Sequence, residues 1–342
     1  MDALAAADPV ALTRALVDID STTGREGEAG QWLANHLRSR GWDVTEQPVS
    51  EGRFNVFARQ ATDPLVVLST HYDCVPPFFP SHLSEGVIVG RGACDAKGIA
   101  VAQMMAADRL RAQGEDGIAL LFVVGEERGS DGARVANTLA PPGVRFLVDG
   151  EPTDNRLGAA TRGALRVRLE ASGRAAHSSF PELGVSAIDK LLDALMVVRG
   201  LTFPDDPLLG RTHYSVGRIE GGVAPNVVSP QAAAELLFRT VGDGREVLDA
   251  LAVLDGVVSI EEVADVPAVR LHVEPGFETA VFPFATDVPM LANWGMPLLL
   301  GPGSIHVAHT DHEHLVIDEL HAAVDLYVSL TRRLLRTARS GR

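Results

Sequence analysis

Residues 118–130, IALLFVVGEERGS, decide how this chain folds. The run IALLFVV is rich in branched and aromatic side chains and is closed by Gly125. It reads as a strand buried on both faces, the kind found in parallel sheets with helices above and below. Two adjacent carboxylates, Glu126 and Glu127, follow at its carboxyl end. In open α/β sheets ligands bind beyond that end of the strands.

The same design recurs outward from this stretch. PLVVLST (64–70) runs into His71 and Asp73, and VRFLVDGEP (144–152) runs into Glu151. Helical patterns separate these strands: KGIAVAQMMAADRLRAQG (97–114) and DGARVANTLA (131–140). Upstream, Asp8 and Pro9 cap a first helix, and EAGQWLANHLRSRG (28–41) predicts a second, which buries Trp32, Leu33 and Leu37 and stops at Gly41. A strand near FNVFAR (54–59) completes the expectation of a mainly parallel sheet flanked by helices.

After about residue 160 the pattern changes. Strands in ALRVRLEASG, THYSVGRI, AAAELLFRTV and VVSIEEV, with helices in VSAIDKLLDALMVVRG and REVLDALAVL, follow the order β-α-β-β-α-β. That is the split βαβ arrangement of a ferredoxin-like α+β domain. A second domain over 161–267 is expected, inserted into a first domain formed by 1–160 and 268–342. FPDDPLLGRT (203–212) reads as a connecting loop, and PLLLGPGS with a long C-terminal helix returns the chain to the first domain.

Five residues at the ends of these runs are candidate metal ligands: His71, Asp95 in GRGACDAKG, Glu127, Glu151 and His309 in GPGSIHVAH. Asp149 is a substitute for Glu151, and His306 for His309. Two imidazoles and three carboxylates suit zinc or a similar divalent ion. If one carboxylate bridges, the set makes a two-metal hydrolytic site. Two neighbouring anions at a buried rim repel unless a cation is present. A ligand, Glu127, beside a general base, Glu126, resolves that conflict. Asp73 is placed to orient the His71 ring. Arg91 and Lys97 read as solvated side chains or members of local ion pairs.

Composition narrows the function classes. A net charge of −15 argues against a nucleic-acid partner. No apolar run is long enough to span a bilayer, and the N-terminal residues lack the pattern of a secretory signal. The two cysteines, Cys74 and Cys94, read as small buried thiols in a reducing, cytoplasmic setting.

Taken together, HYDCVPP, GRGACDAKG, GEERGS, GEPT, GRAAHSSFPELGVSAID, GGVAPNVVSP with LLFR, and GPGSIHVAHTDHE resemble the serial motifs of the co-catalytic zinc amidohydrolases and metallopeptidases. That family includes acetylornithine deacetylase, succinyl-diaminopimelate desuccinylase, aminoacylase-1 and the glutamate carboxypeptidases. The resemblance covers about His71 to Glu313. It implies one zinc held by His71 and Glu151, a second by Glu127 and His309, and Asp95 bridging them, with cobalt or manganese as alternative ions. It implies Asp73 as orienter and Glu126 as the base toward the bridging water. It also implies a homodimer through the inserted lid domain. His177 would stabilise the oxyanion, and Asn226 and Arg239 would bind substrate. The expected substrate is an N-acyl amino acid, as in acetylornithine deacetylase. A dipeptidase or carboxypeptidase is the alternative, then a desuccinylase. A binding protein that has lost catalysis is the contrasting class.

Overall fold

A computed structural model describes residues 8–60 and 63–340. The fold is α/β, and the chain divides into two compact units. The first takes residues up to Ala159, Leu271–Ala280 and the chain from Thr286 onward; the second takes Ala160–Arg270 and Val281–Ala285.

The first unit is built on a six-stranded sheet. Its order is Asp43–Ser50, Arg53–Arg59, Ile118–Val123, Val66–His71, Phe146–Asp149, Met296–Leu299. The last four strands run parallel, while the hairpin Asp43–Arg59 joins one edge antiparallel. Alternation explains why the central strands are apolar throughout. Leu120 and Phe122 point into one core layer, with Leu68, Leu33, Leu110 and Tyr327. Ala119, Leu121 and Val123 point into the other, with Val67, Ala133 and Trp294. A strand covered on both faces has no polar side to show.

Four helices, Pro9–Val17, Gly27–Ser39, Lys97–Ala112 and Ile317–Ser340, supply the first layer. Asp8 caps the first, accepting from Val10 N–H at 3.0 Å, and Gly41 follows the second with φ +80°. Trp32 is only half-buried and stacks on His36 with ring centroids 5.2 Å apart, so the buried stripe of that helix is Leu33, Ala34 and Leu37. No helix among the described residues is long and apolar enough to cross a membrane.

The second unit is a four-stranded antiparallel sheet in the order His213–Gly221, Gln231–Arg239, Ala164–Ser172, Ser259–Val266. Leu165, Val167, Leu169 and Ala171 pack under the helices Ala187–Gly200 and Arg245–Leu251. The opposite face is polar: Arg168 reaches Glu170, Glu220 and Glu235 at 2.7, 3.0 and 3.3 Å. The predicted loop 203–212 contains a two-residue hairpin, Asp205–Asp206 with Gly210–Arg211.

Candidate metal centre

The carboxyl ends of the parallel strands carry the charged residues. His71 is the last residue of its strand and is buried. Its Nε2 lies 3.0 Å from Asp95 Oδ1. Its Nδ1 lies 3.1 Å from the backbone oxygen of Asp73 and 3.5 Å from the Asp73 carboxylate. A proton on Nδ1 donates to Asp73 and leaves Nε2 as the free ligand atom. The nearer orienting group is thus the Asp73 carbonyl rather than its side chain. The Asp73 carboxylate accepts from the N–H groups of Glu126 and Glu127, at 3.1 and 3.3 Å, and from Thr23 Oγ1 at 2.8 Å. It pins the turn that carries both glutamates.

That turn needs a glycine. Gly125 has φ +75°, and a Cβ there would meet the Asp131 carboxylate at 1.9 Å. The backbone then coils into a short 3₁₀ turn, Glu126–Arg128. Glu127 Oε1 lies 2.9 Å from His309 Nε2, whose own distance to Asp95 Oδ2 is 3.3 Å. His309 adopts φ +63° and is half exposed. Glu151, two residues past its strand, is buried.

These placements bring five residues into two groups. His71, Asp95 and Glu151 offer ligand atoms within 4.8 Å of one another, and so do Asp95, Glu127 and His309. Asp95 belongs to both, one oxygen turned to each histidine. His306, the alternative to His309, is in neither group; His312 is exposed, and His314 sits half-buried in a short strand.

The electrostatics fit bound cations. Burial drives the pKa of Glu126 well above the ordinary carboxylate range, and Asp287, Glu127 and Asp95 add to the rise against the pull of His71. Burial also raises Glu127 and Glu151, with Asp95 contributing to both. Hydrogen bonds to Asp95 and Glu127 raise His309 to about 10. For Asp95 burial acts the other way, but His309 and His71 outweigh it and hold its pKa low. So many desolvated carboxylates, answered by two imidazoles, lack the positive charge a buried cluster requires. Two divalent ions on this nitrogen and oxygen donor set would supply it.

Sequence reasoning missed two features here, the burial of Asp287 and that of Arg91 and Lys97. Asp287 is buried among the carboxylates, while Asp149, already named as the substitute for Glu151, is buried with one oxygen, Oδ2, that finds no hydrogen-bond partner among the described residues. Asp287 lies in PFATDVP, where nothing but the pair Thr-Asp hints at a buried acid. Arg91 and Lys97 are buried rather than solvated: Arg91 pairs with Glu313 at 2.6 Å, and Lys97 donates to the Ile19 carbonyl at 2.7 Å. Cys74 and Cys94 are buried free thiols, and burial lifts Cys74 to about 11. A cleft of about 570 Å³ between helices, lined by Arg40, Met105, Asp108 and His321, contains none of the candidate ligands.

In the second unit, His177 is exposed, and its Nδ1 accepts from Ser179 N–H at 3.1 Å. That fixes Nδ1 as acceptor and leaves Nε2–H free to donate outward. Ser178 N–H donates to the Asn226 carbonyl at 3.0 Å, and His177 bridges Val227, so His177 and Asn226 lie on adjoining backbone segments. Arg239 ends its strand half-buried and pairs with no carboxylate among the described residues. Burial lowers its pKa from the ordinary guanidinium value.

The chain is similar to known proteins in sequence and in fold. The profile of Peptidase family M20/M25/M40 matches residues 67–333. A probable carboxypeptidase of Aspergillus fumigatus is 37% identical over 393 residues, covering 98% of this chain and 88% of its own. A tripeptidase of Staphylococcus aureus superposes with a TM-score of 0.79 at 20% identity, over 94% of this chain and 96% of its own. A dinuclear metal-binding peptidase of the M20 family from Bacillus subtilis gives a TM-score of 0.71 at 17% identity, over 96% and 98% of the two chains.

Proposed function

Because the chain belongs to Peptidase family M20/M25/M40 and is therefore a metallopeptidase-type hydrolase, we propose that it hydrolyses the amide bond next to a free α-carboxylate, acting as a carboxypeptidase or dipeptidase on small peptides. The observation that carries this reading is the pair of ligand groups sharing Asp95, with Glu126 beside them. Relatives named probable carboxypeptidases, at 37% identity, favour peptide substrates over acetylornithine, the first expectation from the motifs.

His71 and Glu151 would hold one ion, Glu127 and His309 the other, and Asp95 both. Zinc suits these donors best. When bound, such ions polarise a carbonyl and lower the pKa of water. Glu126 belongs to neither ligand group and stands directly beside the ligand Glu127. Its burial raises its proton affinity, so it takes a proton from water and delivers it to the leaving amine. Asp73 holds the Glu126 backbone in place for that transfer. Nε2–H of His177 is a donor for the developing oxyanion, an interaction whose loss costs about 2.7–4 kcal/mol in related settings. Arg239, half-buried and without a carboxylate partner among the described residues, grips the substrate α-carboxylate bidentately. Asn226 orients the same substrate. The second unit also serves as a dimerisation and lid domain.

The test is a substrate panel for the purified, zinc-loaded protein: N-blocked dipeptides, free dipeptides, acetylornithine, other acetyl-amino acids and succinyl-diaminopimelate. Peptides with a free C-terminal carboxylate are expected to turn over fastest. Preference for acetylornithine would restore the deacetylase reading, and no turnover of any member would favour a binding protein.

A further inference from the structure

Glu313 lies four residues after His309 and is 1% exposed. It belongs to neither metal-ligand group, yet it is the most heavily engaged carboxylate of this region. Oε1 accepts the N–H groups of Gly92, Cys94 and Asp95 at 3.0, 3.1 and 3.0 Å. Oε2 accepts Nη1 of Arg91 at 2.6 Å. Arg91 is itself buried, donates Nε to the Pro77 carbonyl at 3.2 Å, and lies 5.0 Å over the Phe79 ring. The Glu313 backbone oxygen accepts Gly90 N–H at 3.0 Å. The whole loop 90–95 therefore closes around one residue.

We propose that Glu313 is a positioning residue that sets the distance between Asp95 and His309. Its carboxylate holds the Asp95 backbone from behind, while its own chain segment carries His309, whose Nε2 stands 3.3 Å from Asp95 Oδ2. Successive N–H groups converging on one anion form a rigid nest, and charge-assisted bonds of this kind are the strong ones. A bridging ligand must be held within about 0.5 Å of its working place. Glu313 meets that demand by tying both sides of the Asp95 to His309 contact to one buried group. Lys97, buried behind the same loop, holds the Ile19 carbonyl instead and does not touch Asp95.

The inference rests on the two-metal reading, and its test separates the two. Zinc stoichiometry and affinity are measured by chelator competition on the full chain, together with the cobalt-substituted absorption spectrum. In Glu313→Gln an amide N–H₂ or a weaker acceptor faces the nest. That variant is expected to melt cooperatively, to bind zinc about 10–100-fold more weakly, and to show a shifted cobalt spectrum. A merely structural role would lower the melting temperature and leave metal affinity and spectrum unchanged. Two zinc ions bound at wild-type affinity with an unaltered spectrum would overturn the proposal. If Glu313→Gln does not fold, Glu313→Asp, which keeps the charge but withdraws it by one methylene, is read by the same criterion. Wild-type protein that binds fewer than two equivalents would count against the two-metal reading alone, and the variants are then compared on the metal that binds.

Discussion

Glu126 and Glu127 are chemically identical neighbours, and their surroundings separate them. Glu127 faces His309 at 2.9 Å, while Glu126 belongs to neither ligand group and burial pushes its pKa well above the ordinary carboxylate range. Glu126→Gln is therefore expected to keep its full metal content and to lose kcat by about 10²–10⁴-fold; a variant with near-normal kcat would remove Glu126 from the base role. The raised pKa values also predict how metal-free protein responds to pH. Glu126, Glu127, Glu151, His71 and His309 all have folded values above their ordinary ones. Each such group favours the native state most at low pH and loses that contribution as pH rises through its folded value. Asp95 runs the other way, but its window lies below its ordinary value of 3.8. Chelated protein should therefore melt at falling temperatures from pH 6 toward pH 10, and saturating zinc should flatten the slope; a chelated protein that gains stability over that range would contradict the account. At this scale the sequence marked the acids and imidazoles by their place at strand ends. It could not mark Glu313 or Asp287, because burial of a lone carboxylate depends on donors and charges brought from distant segments.

Among the elements, the parallel strands were the most legible, since burial on two faces leaves a continuous apolar run. The edge strand Asp43–Ser50 was not foreseen. Its sequence DVTEQPVS carries a proline and alternates between exposed and half-buried positions, so it becomes a strand through pairing with Arg53–Arg59. The hairpin inside 203–212 escaped notice for a similar reason: two-residue strands show no period. The loop 90–96 is the element on which the site depends. Gly92 has φ +86°, and a Cβ there would stand 2.5 Å from Cys74 Sγ. Gly92→Ala combines a left-handed backbone penalty with overpacking, together about 2–5 kcal/mol. Its chemical denaturation midpoint should fall with an unchanged slope, and a loss under about 0.5 kcal/mol, the usual range for surface changes, would show that the loop is softer than its packing implies. In the central sheet, Leu120→Ala should cost about 2–5 kcal/mol, as deletions in a closed core do.

At the scale of the molecule, the second unit presents an unpaired edge strand, His213–Gly221, and an apolar stripe on the helix Ala187–Gly200. Ile188, Leu192 and Met196 recur every four residues as an exposed stripe beside the buried Leu191, Ala194 and Val198. Edge strands and exposed apolar stripes are surfaces that a partner covers, and a second copy of the chain is the partner the family resemblance implies. Leu192→Asp combined with Met196→Asp is expected to sediment as a monomer with unchanged metal content, whereas a persistent dimer would move the interface elsewhere. If His177 acts across that interface, the monomer also loses turnover. A change of pattern near residue 160, where the first unit breaks off at Ala159, was readable in the sequence. The assignment of Val281–Ala285 to the second unit was not, because five residues carry too little periodicity to declare their neighbours.

The sequence by itself determined the layered α/β architecture, the doubly buried strands of its mainly parallel sheet and the helices that flank them. These follow from local rules: which residues tolerate burial, and with what period they recur. Only the tertiary structure decided which oxygen of Asp95 turns to which histidine, that Asp73 grips the glutamate turn rather than the imidazole alone, and that Arg91 and Glu313 are buried behind the bridging residue. Those outcomes depend on distances between segments tens to hundreds of residues apart, and a short-range pattern holds no record of such distances.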